Sequence, residues 1–102
     1  MLVALALTTT LWKPVTISYY SGGKQTADGT KMNNSGMWIA TRRYKLGTIC
    51  EVKVGEVTLR LVVRDKPAKR YGDRFDLPIN TWKKFGRPTS NGLLKGSERK
   101  IK

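Results

Sequence analysis

Apolar and polar positions alternate along much of this chain. In "KPVTISYYSG", Val15, Ile17 and Tyr19 fall on one side and Thr16, Ser18 and Tyr20 on the other, the strand period, ended by Gly22 and Gly23. Alternation resumes with Cys50, Val52 and Val54 against Ile49, Glu51 and Lys53, breaks at Gly55 and Glu56, and continues with Val57, Leu59, Leu61 and Val63 against Thr58, Arg60 and Val62. Two such runs around a short turn predict a β-hairpin. Between these regions "KQTADGTKMNNSG" places Asp28 before Gly29 and Asn34 near Gly36, which is turn chemistry, and predicts a long surface loop. "LPINTWKKFG" carries the clearest helical signal: Pro78 suits a first turn, Leu77, Trp82 and Phe85 are spaced to share a face, and Gly86 and Pro88 provide a stop. Asp76, just before this segment, suits a helix N-cap. At the start, Leu5, Leu7, Thr9 and Leu11 alternate as a first strand would. The apolar run there is too short to span a bilayer and has no basic residues ahead of it, so neither a membrane span nor a cleavable secretion signal is expected.

Several short strands around one or two short helices predict a mainly β protein, a closed or nearly closed barrel. With 102 residues, one domain over 1–102 is expected, with 1–14 as an N-terminal strand or extension and 93–102 as a basic tail. Cys50 is the sole cysteine and there is no histidine, so no intrachain disulfide, metal site or cofactor is expected. Charge changes the picture further. Twenty Lys and Arg against seven acids give a formal net charge of +13, a field that concentrates nucleic acid, anionic lipid or acidic wall polymer without choosing among them. Within that field Asp65 ends an apolar run and Asp76 lies inside "FDL", and acids kept at such places invite a chemical reading.

The ordered segments "ISYYSG", "TADGTKMN", "ATRRYKLGTICEV", "LVVRDKP" and "DRFDLPINTWKKFG" resemble the double-psi β-barrel domain of rare lipoprotein A. Related barrels occur in expansins and in the three-aspartate domain of lytic transglycosylase A. The resemblance runs from about Val15 to Gly86 and implies a six-stranded double-psi barrel that holds bacterial peptidoglycan glycan strands, with Gly47 and Thr48 as a structural turn. It implies Asp65 as the catalytic carboxylate and Asp76 as its neighbour. In a lytic transglycosylase one carboxyl protonates the leaving glycosidic oxygen and then takes a proton from the sugar's own hydroxyl, closing an anhydro ring. A carboxyl serves both steps if burial or a second carboxylate raises its pKa. The chain departs from the pattern in three places: Thr41 stands where rare lipoprotein A carries a His, Thr30 where it often carries an acid, and the first acid of the three-aspartate pattern falls on Ala40.

Each candidate has a plainer role. Asp65 would equally cap a turn before Pro67, and Arg64 and Lys66 beside it favour its ionised form. Tyr19, Tyr20 and Trp38 are candidate sugar platforms, although one of two adjacent strand tyrosines must face inward. Thr26 and Thr41 are candidate hydrogen-bond donors to a glycan, and Arg42 and its basic neighbours are candidates for its acidic groups. Trp12 and Trp82 read as core. The expectation is a wall-directed barrel, catalytic or merely binding, with virion or envelope proteins as alternative partners and nucleic acid ranked below them. It would act in the cell envelope or outside the cell, plausibly carried by a phage particle.

Overall fold

The computed structural model describes residues 11–102. Six strands, β1 (Lys13–Tyr20), β2 (Trp38–Ala40), β3 (Ile49–Val54), β4 (Val57–Asp65), β5 (Phe75–Pro78) and β6 (Leu94–Lys100), are joined by loops, two short 3₁₀ turns and one helix, α1 (Ile79–Lys83). They close into a barrel in the order β1-β5-β2-β4-β3-β6. Two neighbouring pairs are parallel, β1 with β5 and β2 with β4, and the remaining pairs are antiparallel. The link from β1 to β2 passes β5, and the link from β4 to β5 passes β2. These two interlocked crossings are the double-psi arrangement.

Inward positions follow the alternation: Val15 and Ile17, Cys50, Val52 and Val54, Leu61 and Val63, and Phe75 and Leu77 form one core. Trp82 of α1 closes one end, with its indole edge-on to Tyr19 at a centroid distance of 4.9 Å. Thr81 Oγ1 donates to the carbonyl of Gly36 at 2.5 Å and ties the helix to the end of the long loop. Gly47 N–H donates to the Val63 carbonyl at 2.7 Å, and Val63 N–H donates to the Thr48 carbonyl at 2.8 Å, so the Gly47–Thr48 turn pins the start of β3 against β4.

Three expectations change. The basic tail is β6, which pairs with β1 and β3 and closes the barrel. Its inward positions are Leu94, Gly96 and Glu98, of which one is apolar, so the usual alternation is invisible in the sequence. Gly96 is required by close approach, since a Cβ there would lie 2.5 Å from the Lys53 carbonyl oxygen and 2.9 Å from Val54 Cγ2. Asp76 does not cap α1: it belongs to β5, and Pro78 occupies the N-cap position without a side-chain hydrogen bond. Trp12 is 36% exposed instead of core, with the Arg99 guanidinium 4.3 Å from its ring centre. The alternation at Leu5, Leu7 and Thr9 lies outside the described residues.

Glu98 is fully buried at the barrel mouth. Arg43 Nη1 donates to its Oε2 at 2.6 Å and the Tyr44 hydroxyl donates at 3.0 Å. A buried carboxylate is tolerated when a cation and further donors satisfy it, as these do. Among the described residues no helix is long and apolar enough to cross a membrane.

Candidate functional site

Sheet register brings the two aspartates together. Ser18 on β1 is level with Asp76 on β5, Asp76 with Ala40 on β2, and Ala40 with Asp65 on β4. Ser18, Asp76, Ala40 and Asp65 therefore form one row across four adjacent strands, with the two acids on either side of Ala40. Neighbouring strands lie about 4.8 Å apart, which puts the aspartate backbones roughly 10 Å apart, within reach of a common ligand. A register shift between Ile39 and Ala40 makes this possible: Ile39 pairs with Val63, but Ala40 pairs with Asp65 and skips Arg64. The bulge re-aims one residue of β4.

The acids differ in surroundings. Asp76 is half-buried and accepts one hydrogen bond from Ser18 Oγ at 2.8 Å. Among the described residues no Lys or Arg comes within ion-pair distance of it. Burial pushes its pKa above the ordinary aspartate value and the Asp65 charge adds to this, while the Ser18 bond and the Arg74 charge act in the opposite direction. Asp65 Oδ1 accepts the backbone N–H of Ala27 and of Lys66, each at 2.9 Å. The turn-capping role expected of Asp65 is thus present alongside its place in the row.

Tyr20 and Trp38 complete the outer face of β1, β5 and β2. Trp38 Nε1 donates to the Tyr20 hydroxyl at 2.8 Å, and burial, with the nearby charges of Asp65 and Asp76, pushes the Tyr20 pKa up to about 12. The phenol stays protonated at neutral pH and keeps its O–H as a donor. Trp38 is only 6% exposed, and a Cβ on Gly36 would sit 2.3 Å from its ring, so glycine is required there by close approach. Trp38 orients Tyr20; it is not an open sugar platform. Tyr19 is turned inward against Trp82, its hydroxyl donating to the Thr89 carbonyl at 3.0 Å.

The remaining candidates are engaged in contacts within the chain. Thr26 is buried and donates to Asp28 Oδ1 at 2.6 Å, within a turn whose Asp28 also pairs with Arg64 at 3.0 Å. These donors hold the Asp28 pKa well below the usual carboxylate range. Asp28 N–H also donates to the Arg64 carbonyl at 3.1 Å, so the loop is strapped to β4 and delivers the Ala27 amide to Asp65. Thr41 is fully buried and its hydroxyl accepts from the Arg43 N–H at 3.1 Å. Arg42 is exposed, bonded through Nε to the Pro67 carbonyl at 2.7 Å. Sequence reasoning missed Ser18, which matters only through the parallel β1–β5 register, and Arg74, whose charge acts on Asp76 from two positions before it. Cys50 is buried and its thiol pKa is pushed up to about 12, leaving it inert at neutral pH. Among the described residues no three His, Cys, Asp or Glu cluster as metal ligands do.

Two adjoining surface grooves, about 390 and 410 Å³, run along β1 and β6, and neither is lined by Asp65 or Asp76.

No protein-family model matches this chain, and no curated protein matches it. Among solved structures it is similar to the Streptomyces papain inhibitor (SPI), with a TM-score of 0.70 and 22% identity over 86% of this chain and 91% of that one. At this identity the likeness establishes the fold, a closed six-stranded barrel of double-psi type.

Proposed function

We propose that this barrel is directed at peptidoglycan, binding glycan strands over the Ser18–Asp76–Ala40–Asp65 row and cleaving them in the manner of lytic transglycosylases. The observation that carries the reading is the row itself: acids of β4 and β5 are brought level on either side of Ala40 of β2. Ala40 is the position of the missing first acid in the three-aspartate pattern, so the resemblance and the register point to one place.

The surroundings favour an assignment of roles opposite to the sequence-based expectation. Asp76, half-buried and among the described residues without an ion-pair partner, is the carboxyl suited to holding a proton. In this mechanism Asp76 gives its proton to the glycosidic oxygen as the C–O bond breaks. The resulting carboxylate takes a proton from the sugar's C6 hydroxyl as that oxygen closes on C1. The proton count balances without water. Asp65, fixed by two backbone amides, stabilises the positive charge developing at the sugar, and the Tyr20 hydroxyl donates to a ring substituent. A site of action outside the cytoplasm, reached in a phage particle, belongs to this reading.

A second reading has support from specific observations. With Ala40 and Thr41 in place of an acid and a His, and with neither groove lined by the aspartates, the same surface suits a binding module without turnover. The similar Streptomyces protein is a papain inhibitor by name, which supports reading the barrel as a binding scaffold.

Incubation of the purified protein with peptidoglycan, followed by mass analysis for anhydromuramyl ends, separates the two. Release by the native chain, lost in Asp76→Asn and reduced in Asp65→Asn, supports catalysis. Sedimentation with the wall but no release supports the binding module. Inhibition of papain without wall binding would replace both with a protease-directed role.

A further inference from the structure

The two grooves share Lys95 and Gly96 of β6 and so adjoin there, one extending over β1 and the other toward Lys53 and Trp12; together they are termed the channel. Its cations differ in how they are engaged. Arg43 is neutralised by Glu98. Lys95 is exposed, its Nζ donating to Thr16 Oγ1 at 3.1 Å. Arg74 lies over the Tyr71 ring at 4.9 Å and Lys53 near the Trp12 ring at 5.7 Å. Among the described residues none of Lys95, Arg74 and Lys53 forms an ion pair, whereas Arg43, Arg60, Arg64 and Arg99 all do. Asp73 is the acid that lines the channel.

The channel also continues the acid row. Thr16 precedes Ser18 by two positions on β1, and Arg74 precedes Asp76 by two. Thr16 and Ser18 share a face of β1 and lie about 7 Å apart, and Arg74 immediately precedes β5, so a ligand seated over the row would reach the channel within one sugar's width. Tyr71 and Trp12 flank the channel with their rings faced by Arg70 and Arg74 and by Lys53 and Arg99, and the cations that form no ion pair among the described residues suit carboxylates.

We propose that this channel holds the carboxylate-bearing substituents of the glycan strand seated on the acid row, so that the preferred substrate is an acid-substituted strand and not a bare one. The inference rests on the wall-directed reading above and specifies its substrate class. Arg74 and Lys95 are the principal contacts, with Lys53 serving a substituent further along the strand.

The test compares binding of the full chain to purified peptidoglycan with free stem carboxylates and to the same material after carbodiimide amidation. Amidation weakens binding by roughly tenfold or more, the effect of losing one or two charge-assisted contacts. The Arg74→Gln/Lys95→Gln protein binds both forms alike, at the level the native chain shows for amidated wall. A Lys83→Gln/Lys84→Gln protein, which loses the same charge on the exposed side of α1, keeps the native preference; circular dichroism and thermal melts verify that both variants fold. Equal binding of native protein to both forms overturns this inference and leaves the wall-directed reading standing, whereas binding to neither form overturns both. Arg74- and Lys95-dependent binding to single-stranded oligonucleotide, with none to wall, reassigns the channel to nucleic acid and also overturns the inference.

Discussion

Glu98 and Asp76 are strand carboxylates of the same barrel, and both are drawn away from water. Glu98, on β6, is fully buried yet meets a guanidinium and a phenol, so its charge is matched inside the structure. Asp76, on β5, is only half-buried yet meets a single hydroxyl, and among the described residues no cation pairs with it. The more deeply buried acid is therefore the structural one. Burial depth alone does not mark a reactive carboxyl; the mismatch between desolvation and compensation does.

The comparison breaks most directly at Arg43. Replacing it with Met strips Glu98 of its cation and should lower stability by about 3–5 kcal/mol, as when one partner of a buried pair is removed. Urea denaturation measures this; a variant as stable as the native chain would show that Glu98 does not depend on its partner. The next effect belongs to the other region. Gly36→Ala forces a methyl against the Trp38 ring and should cost about 1–3 kcal/mol, with a shift in tryptophan fluorescence as the indole leaves Tyr20.

Asp76→Asn sharpens the contrast through pH. The folded-state pKa of Asp76 is raised above its ordinary value of 3.8, so the folded protein holds this proton more tightly than the unfolded chain does. Its contribution to stability is full below the ordinary value and is lost as pH rises through the folded value. An amide cannot ionise, so Asp76→Asn should gain melting temperature relative to the native chain at pH 7 and lose that gain near pH 3. Asp28→Asn should behave in the opposite sense, because the Asp28 pKa is lowered: it is less stable than the native chain at neutral pH, and the difference closes as acid protonates the native aspartate. Thermal melts across pH separate the two. The smallest effect is expected from Ser18→Ala, which removes the donor to Asp76, costs about 1 kcal/mol, and moves the Asp76 carboxyl titration, followed by NMR, further upward.

Legibility in the sequence varied by element. The hairpin of β3 and β4 was readable because its inward residues, Cys50, Val52, Val54, Leu61 and Val63, are apolar and its turn is local. β6 was not, because Gly96 and Glu98 occupy inward positions for reasons that lie on β3 and in Arg43. β5 was hidden inside a helix-like segment, since Leu77 and Trp82 both face the core but from different elements. Of the site, Asp65, Asp76 and Tyr20 were nameable from their residue types and the family resemblance. The roles considered for Tyr19, Trp38, Thr26 and Thr41 depended on which way each side chain turned.

By itself the sequence determined a β-rich chain of alternating strands, an excess of positive charge, and two acids at strand ends, because side-chain period, turn chemistry and charge are local properties of neighbouring residues. Only the tertiary structure decided that Asp76 stands level with Ser18 and Ala40, that a bulge brings Asp65 into that row, and that Glu98 has a cation while Asp76 has none among the described residues. Those outcomes depend on strand pairings, parallel and antiparallel, and on side-chain contacts between segments far apart in the chain, which are set by packing across the whole barrel and leave no local periodic trace.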